Sequence, residues 1–268
     1  MLAMSRIETL VAAMNQEDAS LYQIMNLRTD AIIANQSDGW DCRDYQFEYG
    51  KCTLLTTPER GVGRNRNQAL LKASADILLL ADDDLVFFED YPATVAKAFK
   101  EMPDADLIIF ALASSPDARD LATPVSRVKR VRIFNFMRYG APGVAIRRAS
   151  LLKANLWFSL LFGGGASYSH GEDTLFLREA LRKSLKIYAY PQAVATVNTS
   201  HSSWFSGYHE KYFFDKGALL ANVYPQAKYL YIPYFALKFR DRSQIGLLAI
   251  VRSMIRGMKA FERGSNQL

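Results

Sequence analysis

Cysteine, histidine and long apolar runs are all scarce in this chain, and each shortage removes a class of protein. Cys42 and Cys52 are its two cysteines. Two thiols without metal-ligand spacing build neither a disulfide framework nor a zinc site, so a reduced, cytoplasmic setting is expected. No stretch of about 18 apolar residues runs free of charge, which argues against a membrane-spanning helix. The start, Met1-Leu2-Ala3-Met4-Ser5-Arg6, has no basic region followed by an apolar run. No secretory signal is expected there, and Met1 and Met4 serve equally as the first residue. Acid is missing from one region. Between Leu121 and Gly171 stand Arg127, Lys129, Arg130, Arg132, Arg138, Arg147, Arg148 and Lys153, with no Asp or Glu. Positive charge gathered in this way suits phosphates, anionic lipid or nucleic acid, although single members can equally be solvated strand faces.

The 268 residues are 50% hydrophobic and 12% aromatic. That is enough for one substantial core, alone or with an appendage, and is unlike a disordered chain. The formal net charge is +6. From Lys228 to Leu268 eight Lys and Arg face only Asp241 and Glu262, so the excess belongs to the tail.

Apolar runs at Thr9–Ala13, Ala31–Ala34, Cys52–Leu55 and Ile77–Leu80 read as short buried strands. Glu17–Leu27 and Arg64–Ser74 have helical periodicity between them. Strands separated by helices imply an α/β fold with a mostly parallel central sheet flanked by helices. Ligands of such sheets sit at the carboxyl ends of the strands, which directs attention to Asn15, to residues 35–39 and 60–67, and to the acids after Leu80. Further strands are expected at Leu107–Phe110, Gly143–Arg147, Ile187–Ala189 and Val194–Val197. Helices are expected to end near Met102, to cover Ser150–Leu156 and Gly207–Val223, and to run from Gly171 to about Ser184. Gly163-Gly164-Gly165 reads as a flexible loop.

Three segments carry chemistry. Asp82-Asp83-Asp84 follows a buried strand, and adjacent carboxylates there repel one another unless a cation or strong donors sit among them. Mg²⁺ or Mn²⁺ would suit, held by one or two carboxylates and substrate phosphates; an acidic surface turn is the ordinary alternative. Gly61-Val62-Gly63-Arg64-Asn65-Arg66-Asn67 opens a helix, whose N-terminus with two arginines favours an anion. Gly171-Glu172-Asp173-Thr174 starts another helix. Asp173 there is an ordinary N-cap candidate, but the glycine-rich loop before it can close over a substrate, and one of two paired carboxylates can act as a general base.

Read in order, these segments resemble the family 2 glycosyltransferases of bacterial capsule and lipopolysaccharide synthesis, over about Thr9–Tyr224. The resemblance rests on the Gly61–Asn67 segment, on Ala75–Asp84, and on Phe162-Gly163-Gly164-Gly165 leading to Gly171–Arg178. Ser203–Tyr208 with Glu210-Lys211-Tyr212-Phe213 is similar to the closing segment of a capsular subgroup. It implies the GT-A fold, a Rossmann-like sheet, and an inverting transfer from a nucleotide-sugar, expected to be UDP-linked, to a glycan or lipid-linked glycan hydroxyl. It further implies Asp82 and Asp84 as the ends of an Asp-X-Asp motif, with Asp84 on a divalent metal and Asp82 near ribose and metal. His201 would be a further metal ligand. Asn15, Asn35, Ser37, Arg66, Asp82 and Asp83 would lie on the nucleotide-sugar side, with Asp173 as the base and Glu172 beside the acceptor. Ala81 stands where many members have Asp, so a motif shifted by one, with Asp83 on the metal, remains open. Asn35 replaces a commoner Asp.

Two other readings compete. A sugar nucleotidyltransferase shares the sheet and the metal chemistry, but needs a glycine-rich basic loop where Asn15-Gln16-Glu17-Asp18 stands. A catalytically silent binding protein would not need both the acidic triplet and Asp173. Residues 1–225 are expected to form the catalytic domain and 226–268 a basic amphipathic extension. In the extension, Leu247, Leu248, Val251, Met254, Ile255 and Met258 oppose Arg252, Arg256, Lys259 and Arg263. Together with aromatic Tyr229–Phe235, that pattern is expected to dock peripherally on the inner face of the cytoplasmic membrane. Packing on the protein's own core is the alternative. No nucleic acid is expected as a partner.

Overall fold

A computed structural model describes residues 5–113, 125, 127–198 and 207–265. In chain order its elements are β1 (Ile7–Met14), α1 (Leu21–Ile24), β2 (Asp30–Gln36), β3 (Asp41–Gln46), β4 (Lys51–Thr57), α2 (Val62–Lys72), β5 (Ile77–Asp82), β6 (Leu85–Phe87) and α3 (Tyr91–Glu101). Then follow β7 (Leu107–Ala113), β8 (Lys129–Arg130), β9 (Val144–Arg147), α4 (Arg148–Ala154), α5 (Glu172–Arg182), β10 (Ile187–Val197), α6 (Glu210–Val223), α7 (Tyr231–Phe239) and α8 (Leu247–Ser265).

The strands form one sheet in the order β3-β4-β2-β1-β5-β9-β7-β10-β6, with β8 beside β10. β4, β2, β1 and β5 are parallel neighbours. β9 is wedged antiparallel between β5 and β7, and β7 and β10 are again parallel. The inner strands β1, β2, β5 and β9 are largely apolar because both faces are covered. Leu10, Ile32, Leu78 and Leu80 point into a core with Leu70 of α2, Leu151 of α4 and Phe176 of α5. Their neighbours Val11, Ile33, Ile77 and Leu79 point the other way, towards Tyr22 of α1 and Val95 of α3. This is the α/β sandwich that the alternation of strands and helices predicts.

Several local expectations differ. The helix expected over Glu17–Leu27 is reduced to Leu21–Ile24. The Asp18 carboxylate accepts the Ser20 N–H at 2.8 Å, a local turn that competes with helix, and Asn26 leaves the helix at φ 53°. The two strands expected at 187–197 are one, whose register with β7 shifts around Pro191. β3 has no apolar face because it is an exposed edge strand rich in charge. The glycine-rich loop expected to be flexible is tied down, with Val62 N–H donating to Gly164 C=O at 2.9 Å and Gly163 N–H to Tyr168 C=O at 2.8 Å.

The tail also departs from expectation. Much of the apolar stripe of α8 is packed inside the protein. Ile250, Met254 and Met258 are buried against Phe213 and Leu220 of α6 and Phe235 and Phe239 of α7. The backbones approach so closely that a Cβ on Gly217 would lie 2.0 Å from Met254 C=O, and one on Gly257 would meet Phe214 C=O closer still. Packing accounts for Met254 and Met258 and partly for Val251 and Ile255, while Leu247 and Leu248 at the start of the helix stay exposed. The aromatic segment Tyr229–Phe235 is divided: Ile232 and Phe235 face inward, while Tyr229, Leu230 and Tyr234 remain exposed. Among the described residues no helix is long and apolar enough to cross a membrane.

Candidate active site

The carboxyl ends of β1, β2 and β5 meet the N-terminus of α5 around a cleft of about 890 Å³. Asn15, Arg66, Asp82, Asp83, Asp84, Glu172 and Asp173 all line it. Residues from four separate stretches of sequence are therefore brought to one place. Asn35 and Ser37 are not on its wall. Asn35 is 1% exposed and spends its amide inside the protein, accepting from Gln16 N–H at 2.9 Å and donating to Gln16 C=O at 2.8 Å and to the Thr56 hydroxyl at 3.1 Å. It shapes the loop after β1, and both of its amide N–H donors are spent within the protein. Ser37 offers its carbonyl to Arg60 Nη1 at 3.3 Å. His201 and the segment Ser203–Ser206 lie outside the described residues.

At the centre is Arg66, 5% exposed along its side chain. Its Nη2 donates to Asp82 Oδ1 at 2.7 Å, and its Nη1 to Asp173 Oδ1 at 2.9 Å and Glu172 Oε1 at 3.1 Å. Burial works against its charge, but Asp82, Asp173 and Glu172 outweigh that penalty and hold the guanidinium firmly protonated. One cation thus joins the acidic triplet after β5 to the acid pair that starts α5. The remaining negative charge is expensive. Burial, then the neighbouring Asp173, pushes Glu172 up to about 8 despite Arg66. Burial, then Asp82 and Asp83, pushes Asp84 up to about 6.

Local backbone rules explain the positions. Asp82 ends a buried strand, and Asp83 and Asp84 form the tight turn into β6, where Asn198 N–H donates to Asp84 C=O at 2.7 Å. Gly171, at φ 110°, is the residue before α5, and a Cβ there would lie 2.7 Å from Leu219 Cδ2. Since Gly171 holds the cap position without a side chain, Asp173 lies inside the first turn and its carboxylate serves Arg66. The capping alternative for Asp173 is not what the structure has. The anion site expected at the N-terminus of α2 is partly spent, because Gly61 N–H donates to Gln36 Oε1 at 2.7 Å and Val62 N–H to Gly164 C=O.

The turn at Asp82–Asp84 suits a hard divalent cation by the chemistry of its donors: they are all carboxylate oxygens, and burial, then Asp82 and Asp83, makes the charge of Asp84 costly without one. Among the described residues no group of three or more His, Cys, Asp or Glu converges into a ready metal cage. A cation there would complete its shell from water or a substrate diphosphate.

Gln36 and Val62 also line the cleft, as do Gly140, Pro142 and His170, which sequence reading did not single out for it. His170 stacks on Tyr212 at 4.5 Å, and burial, then Lys216 and Lys211, pushes its pKa well below the ordinary value. Its place next to Gly171 was the one signal available. Gly140 sits at the opposite wall, where a Cβ would lie 3.4 Å from Asp173 Oδ2.

Comparison with known proteins agrees with this geometry. Residues 26–154 match the family described as Glycosyl transferase family 2. No curated relative matches the sequence. Among solved structures, S. aureus TarS 1-349 is similar with a TM-score of 0.59 at 13% identity, covering 97% of this chain and 74% of that one. TarS 1-349 in complex with UDP-GlcNAc gives 0.58 at 13% identity, covering 98% and 92%. At such identity the likeness concerns the fold. With both in hand, the chain has the GT-A fold, and its residues 26–154 carry a sequence match to the family 2 glycosyltransferases.

Proposed function

We propose that this enzyme moves a sugar from a nucleotide-sugar, a UDP-sugar, to an acceptor hydroxyl with inversion at the anomeric carbon, in the synthesis of a bacterial surface polysaccharide. The observation that carries this reading is the convergence on Arg66. The acids of the β5 turn and those of α5 share one cleft, as a reaction needs when a diphosphate departs on one side and a proton on the other. A TarS structure of the same fold holds UDP-GlcNAc, which supports the choice of donor.

In this mechanism Asp173 accepts the proton of the acceptor hydroxyl as that oxygen attacks the anomeric carbon and the bond to the diphosphate breaks. Arg66, donating to Asp173 Oδ1, keeps that carboxylate aimed into the cleft. Glu172, whose hold on a proton is strengthened by burial and by Asp173, would lie beside the acceptor. Asp84 and Asp82 would hold a divalent ion, Mn²⁺ or Mg²⁺, with Asp83 beside them. Such an ion supplies charge neutralisation of the nucleoside diphosphate. The acceptor is a glycan or lipid-linked glycan met at the inner face of the cytoplasmic membrane, a reading supported by the basic, acid-free segment within Leu121–Gly171.

Asp84→Ala tests the metal assignment. One unit charge next to a divalent ion is worth several kcal/mol after screening, so UDP affinity in the presence of Mn²⁺ should fall on the order of 100-fold by calorimetry. Unchanged affinity would remove Asp84 from the metal and favour Asp83.

A further inference from the structure

The segment between β8 and β9 has features that catalysis does not use. Val131 and Phe136 are fully buried, and between them the chain makes a fixed turn, with Arg132 N–H donating to Asn135 Oδ1 at 2.8 Å and Asn135 N–H to Arg132 C=O at 3.0 Å. Two buried anchors and a closed turn force the intervening side chains outward. Phe134 is 95% exposed, the most exposed large apolar residue among those described, and Ile133 and Val128 are exposed beside it. Arg127, Lys129 and Arg132 are exposed too, and none makes an ion pair among the described residues. Alongside runs an open groove of about 400 Å³ with Val131, Ile133 and Leu181 as its floor and Arg130, Arg132 and Arg182 at its rim.

Arginines without acids would suit any polyanion, but a phenylalanine held in water by a rigid turn would not. Cations around a projecting apolar tip match a surface that offers phosphates outside and hydrocarbon beneath. The turn also leads directly into the cleft, because Gly140, six residues beyond Phe134, packs against Asp173. We propose that residues 127–138 seat the enzyme on an anionic membrane, with Phe134 and Ile133 in the headgroup region and Arg127, Lys129 and Arg132 on lipid phosphates. This rests on the reading that the acceptor is met at a membrane, and it assigns docking to this turn in place of the α8 stripe, whose Met254 and Met258 are buried while Leu247 and Leu248 stay exposed. The acceptor side of the cleft would then face the lipid.

The test is sedimentation of the full chain with vesicles of phosphatidylcholine, with and without phosphatidylglycerol. Wild type should pellet with the anionic vesicles and be released by salt. Phe134→Ala should weaken partitioning on the order of tenfold, and Arg132→Glu by a similar factor. Both side chains are exposed, so melting temperatures should stay within about 2 °C of wild type. Pelleting that is unaffected by these changes but lost in Leu230→Ala/Tyr234→Ala would overturn this surface and leave membrane docking to α7. Failure of wild type to pellet, or pelleting indifferent to phosphatidylglycerol, would overturn the surface and the membrane reading together.

Discussion

Two arginine-bearing helices of this protein use their charge in opposite ways. On α2, Arg66 is buried and ties together three carboxylates that lie 16, 106 and 107 residues away in the chain. On α8, Arg256 is exposed and makes one surface contact, to Glu210 at 2.8 Å, while the opposite face supplies the packing. The first helix is built around electrostatics that only a site would justify, since burying charge costs more than burying apolar groups. The second is held by Met254 and Met258 against α6, and its charges are solvated. Charge density in a sequence therefore says little until burial is known.

The largest effect is expected where the buried network is opened. Arg66→Met should leave Asp82, Glu172 and Asp173 facing one another without a cation. Breaking a buried pair in this way costs about 3–5 kcal/mol, at the low end here because Asp82 and Asp173 are partly exposed. Chemical denaturation should report that loss, and a loss as small as that of a surface arginine would contradict the network.

A smaller effect concerns Glu172. Its folded-state pKa of about 8 lies above the ordinary 4.5, so between those values the folded chain keeps a proton that the unfolded chain has released. Stability from this group is full below pH 4.5 and declines as pH rises towards 8. Glu172→Gln keeps the acceptor for Arg66 but cannot ionise. It should be more stable than wild type at pH 8 and no more stable at pH 4.5. Parallel stability–pH curves would show that Glu172 is ionised throughout.

The smallest effect is expected on α8. Arg256→Ala should shift the melting temperature by less than about 2 °C, because an exposed pair is screened and flexible. A larger shift would place that salt bridge on a level with Arg66 and erase the contrast.

The same contrast explains what could be read in advance. The strands β1, β2, β4, β5 and β7 were legible because continuous apolar runs reflect burial on both faces, and α2 and α5 because their periodicity is local. β3 was not, since an edge strand need not be apolar. Neither was β6, three residues long and fixed by pairing with distant β10. At the site, carboxylates at a strand end and a helix start were visible as motifs. Arg66 was visible too, but its three partners depend on how the strands order in space. Asn35 shows the converse: it stands at a suggestive strand end, yet its amide is consumed by Gln16, which no local pattern reveals. In the tail, the amphipathic pattern of α8 was legible but the burial of Met254 and Met258 was not, because a stripe that fits a membrane fits α6 equally well.

The account rests on Asp173 as the group that takes the acceptor proton, and Asp173→Asn tests it most directly. The variant keeps its size and an oxygen for Arg66 but cannot accept the proton. Nucleotide release from a UDP-sugar in the presence of acceptor should fall on the order of 100-fold or more, with UDP affinity by calorimetry unchanged. Turnover near wild type in a folded Asp173→Asn protein would contradict the assignment and reduce Asp173 to a partner of Arg66.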